Sequence, residues 1–197
     1  MYYSLVKTIK LALYGTPGAG KSTTTKIIMQ YCMNENLICY RLRLADPLYE
    51  CQKAVYEVAG KPLKDFYVQD GELLNFLGSH LRKINPAVLT EKFKEKLDTT
   101  EALIINKKEH FALIVCDDMR RPDYEFMKEN GFNIINVFAS PEVCISRREV
   151  RGDVSLGSHK HTTEQGLDSI IPDLTIENTG TLEELRDKVI DLLTKIL

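Results

Sequence analysis

The chain has 197 residues, 44% of them hydrophobic and 27% charged, with a formal net charge of −2. That length suits one domain with its own core, and the near balance of charge predicts no bulk attraction to nucleic acid or to anionic lipid. No apolar run reaches the about 20 residues of a membrane-spanning helix, no signal-peptide pattern opens the chain, and the five cysteines are scattered without a C-x-x-C pair, which points to a reducing, cytoplasmic setting.

In chain order, Ile9–Tyr14 reads as a strand stopped by Gly15, and Ser22 to about Asn34 reads as a helix with Ile27, Ile28 and Tyr31 at helical spacing. Leu37–Leu44 is a second strand. A helix follows Pro47, a residue that suits a first helical turn, and ends near Gly60. Residues 60–110 are mostly helical in pattern. Phe111–Cys116 is the short, wholly apolar run that a parallel strand buried on both faces requires. Asn133–Phe138 and Asp173–Glu177 are the fourth and fifth strands, and Thr181 with Glu184 has the spacing of a capping box opening a last helix. Strands separated by helices predict right-handed crossovers and a five-stranded parallel α/β sheet with helices on both faces. The long helical stretch, about 47–105, is expected to form an acceptor-binding subdomain, and about 147–164, containing the polar residues 152–164, a lid, all within one domain spanning 1–197.

Gly15-Thr16-Pro17-Gly18-Ala19-Gly20-Lys21-Ser22, with Thr23 following, matches G-x-x-x-x-G-K-[ST] between a predicted strand and a predicted helix. Glycines let the backbone curl so that several N–H groups point at one phosphate, and the helix N-terminus adds partial positive charge. Lys21 would reach the β- and γ-phosphates of ATP, and the Ser22 hydroxyl would complete a Mg²⁺ shell.

The third strand ends in Cys116-Asp117-Asp118, which sets carboxylates at the edge where parallel sheets bind ligands. Asp117, nearer the strand end, is read as the metal-side carboxylate, and Asp118 as a cap for the next helix. Asn106-Lys107-Lys108-Glu109 has the look of a guanine-reading N-K-x-D motif, but it precedes the acidic strand and Asp117-Asp118-Met119-Arg120 lacks the glycine of D-x-x-G. It reads instead as a solvated helix end.

Phosphoryl transfer joins two polyanions and needs cationic clamps. Arg120 and Arg121 follow the acidic pair, while Arg147, Arg148 and Arg151 share one helical end at i,i+3 and i,i+4 spacing. Arg147, Arg148 and Arg151 are expected to close with the lid over the transferring group. Asp46, between the second strand and its helix, would orient the acceptor or help move its proton. Gln69, Arg82 and the helix around Gly78 would line the acceptor pocket.

The order of these features resembles the phage-type deoxynucleoside monophosphate kinases. The marks are the phosphate loop, then Ala45-Asp46-Pro47, then Leu77-Gly78-Ser79-His80-Leu81-Arg82, then Asp118-Met119-Arg120-Arg121-Pro122 through Gly131. They continue with His161-Thr162-Thr163-Glu164 and with Pro172 to Leu185, so they cover nearly the whole chain. The resemblance implies transfer of the ATP γ-phosphoryl to a nucleoside or deoxynucleoside monophosphate, and it sets Asn178 and Gly180 near the adenine. The chain has Pro86-Ala87-Val88-Leu89 where that family often has an aromatic residue, which leaves base selectivity open. Phosphomevalonate kinases and dephospho-coenzyme A kinases share parts of the arrangement. A nucleotide-dependent interaction module is the alternative outside enzymes.

Overall fold

A computed structural model describes residues 7–107, 111–150 and 166–197. Its strands are β1 (Lys7–Tyr14), β2 (Ile38–Leu42), β3 (Phe111–Cys116), β4 (Asn133–Phe138) and β5 (Leu174–Glu177). The helices are α1 (Lys21–Asn34), α2 (Asp46–Val58), α3 (Gly71–Ile84), α4 (Val88–Asn106), α5 (Tyr124–Glu129), α6 (Pro141–Val150) and α7 (Leu182–Ile196). Arg151, the 152–164 stretch with its His161–Glu164 mark, and Lys108 and Glu109 lie outside the described residues.

The five strands form one sheet in the order β2-β3-β1-β4-β5, and every neighbouring pair is parallel. The first strand is therefore central, with Leu11 opposite both Val115 and Asn133. Its alternate residues feed two cores. Ile9, Leu11 and Leu13 pack with Ile28 and Cys32 of α1 and with Leu185, Val189 and Leu193 of α7. Ala12 and Tyr14 face the other way, with Phe93, Leu97 and Ile104 of α4 and Met127 of α5. This period of two, on a strand covered on both sides, is why Leu11–Tyr14 is apolar throughout. Each fully buried leucine there contributes roughly 1.5–3 kcal/mol.

The predicted elements are present, with shifts at their ends. The expected second strand loses its last two residues because the Asp118 carboxylate accepts from the Leu44 and Ala45 backbone N–H groups at 3.0 and 2.9 Å, drawing the chain out of the ladder after Leu42. The 60–110 stretch resolves into two helices. Asp70 caps α3 by accepting from Leu73 N at 3.1 Å. Buried Gln52 ties α2 to the segment before that cap, donating to Val68 O and accepting from Asp70 N. At α7, Thr181 and Glu184 form the predicted capping box. Among the described residues no helix is long and apolar enough to cross a membrane.

Candidate active site

The loop from Gly15 to Gly20 joins the end of central β1 to α1, and its glycines are obligatory on steric grounds. Gly20 has φ +102°, and a Cβ there would lie 2.1 Å from Asn178 Nδ2. Gly15, at φ +146°, would drive a Cβ to 2.1 Å from the Val137 carbonyl. An L side chain at either place meets both backbone strain and a collision. Within the loop Ala19 N donates to Thr16 O, and Lys21 folds back so that Nζ donates to the Gly15 and Thr16 carbonyls at 2.7 and 3.1 Å. The ammonium therefore spans the mouth of the loop beside the N-terminus of α1.

Asn178, at the end of β5 and only 4% exposed, locks this corner from behind. Its Nδ2 donates to Ala19 O at 2.7 Å, and Arg147 of α6 donates to the Asn178 backbone carbonyl at 3.0 Å and to its Oδ1 at 3.4 Å. Gly180 lies away from the cavity lining, where its missing side chain leaves room for the Glu184 carboxylate of the capping box.

In front of the loop opens a cavity of about 940 Å³. Among the described residues seven cationic side chains line it (Lys21, Arg41, Arg43, Arg82, Arg120, Arg147 and Arg148) against four carboxylates, Asp65, Asp117, Asp118 and Asp123. The remaining wall comes from α2, α3 and their connection, with Leu48, Tyr49, Tyr67, Gln69, Leu74 and Asn75. Tyr67 packs edge-to-face against both Tyr49 and Phe66, and the Arg43 guanidinium lies 3.6 Å from the Tyr67 ring centroid. Gln69 Nε2 donates to Tyr49 OH. Such a cavity suits a ligand with a polyanionic end and a flat or apolar end.

Two buried aspartates organise the arginines. Asp117, 3% exposed, is gripped by Arg41 through both carboxylate oxygens and lies 3.8 Å from Arg43 Nε. Asp123 accepts from the Arg120 backbone N–H at 3.0 Å and lies 3.5 Å from Arg82 Nη2. Burial pushes the Asp123 carboxyl above its ordinary range, with Arg82 and Arg120 opposing the shift. Burial and then the Asp117 charge push Asp118 up as well. Both Asp118 oxygens are committed to the β2–α2 connection, so it acts as a clip for that turn.

Of the residues singled out from sequence, Pro17, Gly18, Gly20, Lys21, Ser22, Thr23, Gln69, Arg82, Asp117, Arg120, Arg147, Arg148 and Asn178 meet in this cavity. Gly15, Thr16 and Ala19 build the loop without lining the space. Three others lie off the lining: Gly180, as described above, Asp46 and Arg121. Asp46 is absent from the lining: its carboxylate accepts from Lys96 at 2.7 Å and from Tyr67 OH at 3.2 Å, tying α2 to α4. Arg121 also turns away, donating to Ser169 Oγ at 2.8 Å, because the 3₁₀ turn Arg121–Asp123 sends consecutive side chains in different directions. Sequence reading missed Arg41, Arg43 and Asp123. Arg41 and Arg43 carried a usable signal, since residues two apart at the C-terminal end of a parallel strand share a face at the ligand-binding edge.

Among the described residues no group of three or more His, Cys, Asp or Glu could hold a metal ion.

No protein-family model matches the chain, and no curated protein matches it. Among solved structures it is similar to TT1252 from Thermus thermophilus, at 18% identity and a TM-score of 0.51 over 96% of this chain and 98% of that one. It is also similar to the APS kinase of Mycobacterium tuberculosis in complex with AMPPNP and APS, at 14% identity and a TM-score of 0.50 over 96% and 99%. Shikimate kinase from Acinetobacter baumannii in complex with shikimate gives 16% identity and a TM-score of 0.47 over 98% and 96%. At these identities the likeness shows the fold alone, an α/β fold with a five-stranded parallel sheet flanked by helices.

Proposed function

We propose that this chain is a kinase that moves the γ-phosphoryl of Mg·ATP to a nucleoside or deoxynucleoside 5′-monophosphate, giving the diphosphate and ADP. One observation carries the reading: the glycine-built phosphate loop opens onto a cavity where arginines from β2, α3, α6 and the β3 edge converge. A single-nucleotide binder needs one phosphate site. A cavity with a net excess of cationic groups in front of such a loop has room for two polyanions brought end to end.

In this reading the loop amides, the α1 N-terminus and Lys21 hold the β- and γ-phosphates, and Ser22 meets the Mg²⁺ that enters with ATP. Asp117 retains lone pairs after pairing with Arg41 and supports the ion through its water. Arg41, Arg43 and Arg82 receive the acceptor phosphate. Leu48, Leu74, Tyr49 and Tyr67 supply the apolar and aromatic wall for its base, with Gln69 at the edge. An acceptor phosphate oxygen attacks the γ-phosphorus, the bond to the β-phosphate bridging oxygen breaks, and ADP carries away the electron pair. Arg120 and Arg148 compensate the charge of the transferring group. Arg147 and Asn178 flank the nucleoside of ATP, and the 147–164 lid with Arg151 closes to exclude water.

The test is an ADP-release assay across ribo- and deoxynucleoside monophosphates, with phosphomevalonate and dephospho-coenzyme A alongside. Acceptor-dependent ADP formation with one or more nucleoside monophosphates is expected. Turnover of only the non-nucleotide acceptors would move the assignment to another metabolite kinase. Tight ATP binding without turnover of any acceptor would make the chain an interaction module.

A further inference from the structure

From the geometry around the β3 edge we infer that Asp123 is a positioning residue: it holds the Arg82 guanidinium of α3 where an acceptor phosphate must bind. The inference rests on the reading of the cavity as a phosphorylated-acceptor site, and it adds a residue that the phosphoryl-transfer chemistry alone does not call for.

Arg82 lies in the last turn of α3, and its side chain runs back along the helix. Its Nη1 is 3.4 Å from the Gly78 carbonyl. A Cβ on Gly78 would lie 3.4 Å from that same nitrogen and 3.4 Å from Leu48 Cδ1, at the near edge of ordinary contact, so the guanidinium runs in a close-fitting channel past this glycine. At the far end of the channel stands Asp123, 2% exposed, with Oδ1 3.5 Å from Arg82 Nη2. The carboxylate itself cannot swing, because Oδ2 accepts from Arg120 N at 3.0 Å within a one-turn 3₁₀ helix started by Pro122.

Arg82 thus has a floor, a counter-charge and a fixed direction, yet both of its contacts are long for charged hydrogen bonds. A guanidinium has five N–H donors. Two address Gly78 and Asp123, and the group lines the cavity with the rest. Burying a carboxylate costs stability unless it is paired, so a buried aspartate at this point is explained by the cation it orients. Asp123 also couples two parts of the molecule, since it belongs to the sheet edge and Arg82 to the helical subdomain. Acceptor phosphate bound to Arg82 would draw α3 onto that edge.

The experiment is calorimetric titration of dTMP and of inorganic phosphate into the ADP-bound protein, with ADP binding measured separately. It uses wild type, Asp123→Asn, Arg82→Gln and the double variant. Asp123→Asn is nearly isosteric; should it fail to fold by thermal melt, Asp123→Ser takes its place. We expect each single variant to weaken dTMP and phosphate about tenfold, with ADP affinity within about twofold. The double variant should be no weaker than Arg82→Gln alone, which a merely structural loss would not produce. Wild-type affinity for both anions in Asp123→Asn, or additive losses in the double variant, would overturn the inference, as would wild-type protein that binds neither anion. Wild type that binds both anions but not ADP would instead sink the ATP-kinase reading, while the variant comparison still decides the role of Asp123.

Discussion

The two sides of the cavity are built in opposite ways. The phosphate loop is nine consecutive residues, Gly15 to Thr23, whose shape follows from glycine stereochemistry and from a strand feeding a helix. The acceptor side has no such run. Its arginines, Arg41, Arg43 and Arg82, come from β2, the residue just past it and α3, and each is set by an aspartate far along the chain: Arg41 and Asp117 are 76 residues apart. One side is a local device and the other a tertiary one. Damage to the first should stop chemistry without touching the fold, whereas damage to the second should mix loss of binding with loss of structure.

The largest effect tests the local side. Lys21→Ala should lower kcat/KM by about 10²–10³-fold or more. Its thermal midpoint without ligand should stay within about 2 °C, since the Lys21 ammonium bonds carbonyls of its own loop, five and six residues back. A folded variant with near-normal turnover would remove the central claim.

Next come the arginines of α6. Arg148→Ala should reduce kcat about 10²-fold with a smaller change in KM for ATP, the mark of an interaction made mainly in the transition state. Arg147, tied to Asn178, should act more on KM for ATP, by about tenfold. If single alanine replacements of Arg147, Arg148 and Arg151 all leave kcat within about fivefold, the cluster is structural and the lid proposal fails.

Asp46→Ala sharpens the contrast from the tertiary side. Loss of the Lys96 pair should cost about 1 kcal/mol or less, lowering the midpoint by about 2–4 °C. The kcat should stay within about threefold; a loss above about 30-fold would restore Asp46 to the chemistry.

The smallest effect is a control outside the cavity. Burial raises the Asp173 carboxyl, but the Ile134 N–H and Lys128 outweigh it, and its pKa is lowered. A lowered folded pKa contributes stability above the unfolded value of about 3.9 and loses it as pH falls through the folded value. Asp173→Asn should therefore melt a few degrees lower at pH 7, by about 1 kcal/mol at most, with the difference shrinking as pH falls below the unfolded value. Turnover at neutral pH should be unchanged.

The same contrast explains what the sequence disclosed. Strand β3 and the Leu11–Tyr14 half of β1 were legible because burial on both faces leaves an apolar run, and the loop because its chemistry is contiguous. Asp46 misled because an aspartate before proline at a strand end looks the same whether it meets a ligand or a lysine 50 residues away. Asp123 gave no signal at all: its meaning depends on an arginine that reaches it past Gly78. Arg41 and Arg43 were visible as an alternating pair but read only as strand residues. Charge pairing at long sequence separation is information that only the fold writes down.

The Asn178 lock has a consequence for synthesis. The ribosome makes β1 and the phosphate loop first, yet the loop is fastened by an amide 159 residues later, at the end of the last strand. At roughly 5–20 residues per second, the nascent chain carries its glycine-rich turn unfastened for about 8–30 seconds after that turn is made. A chain released after α6 would have four of its five strands and every glycine of the loop, but neither the Ala19 carbonyl nor Arg147 would have its Asn178 partner. The loop therefore gains this fastening only once translation has passed residue 178, before α7 is made.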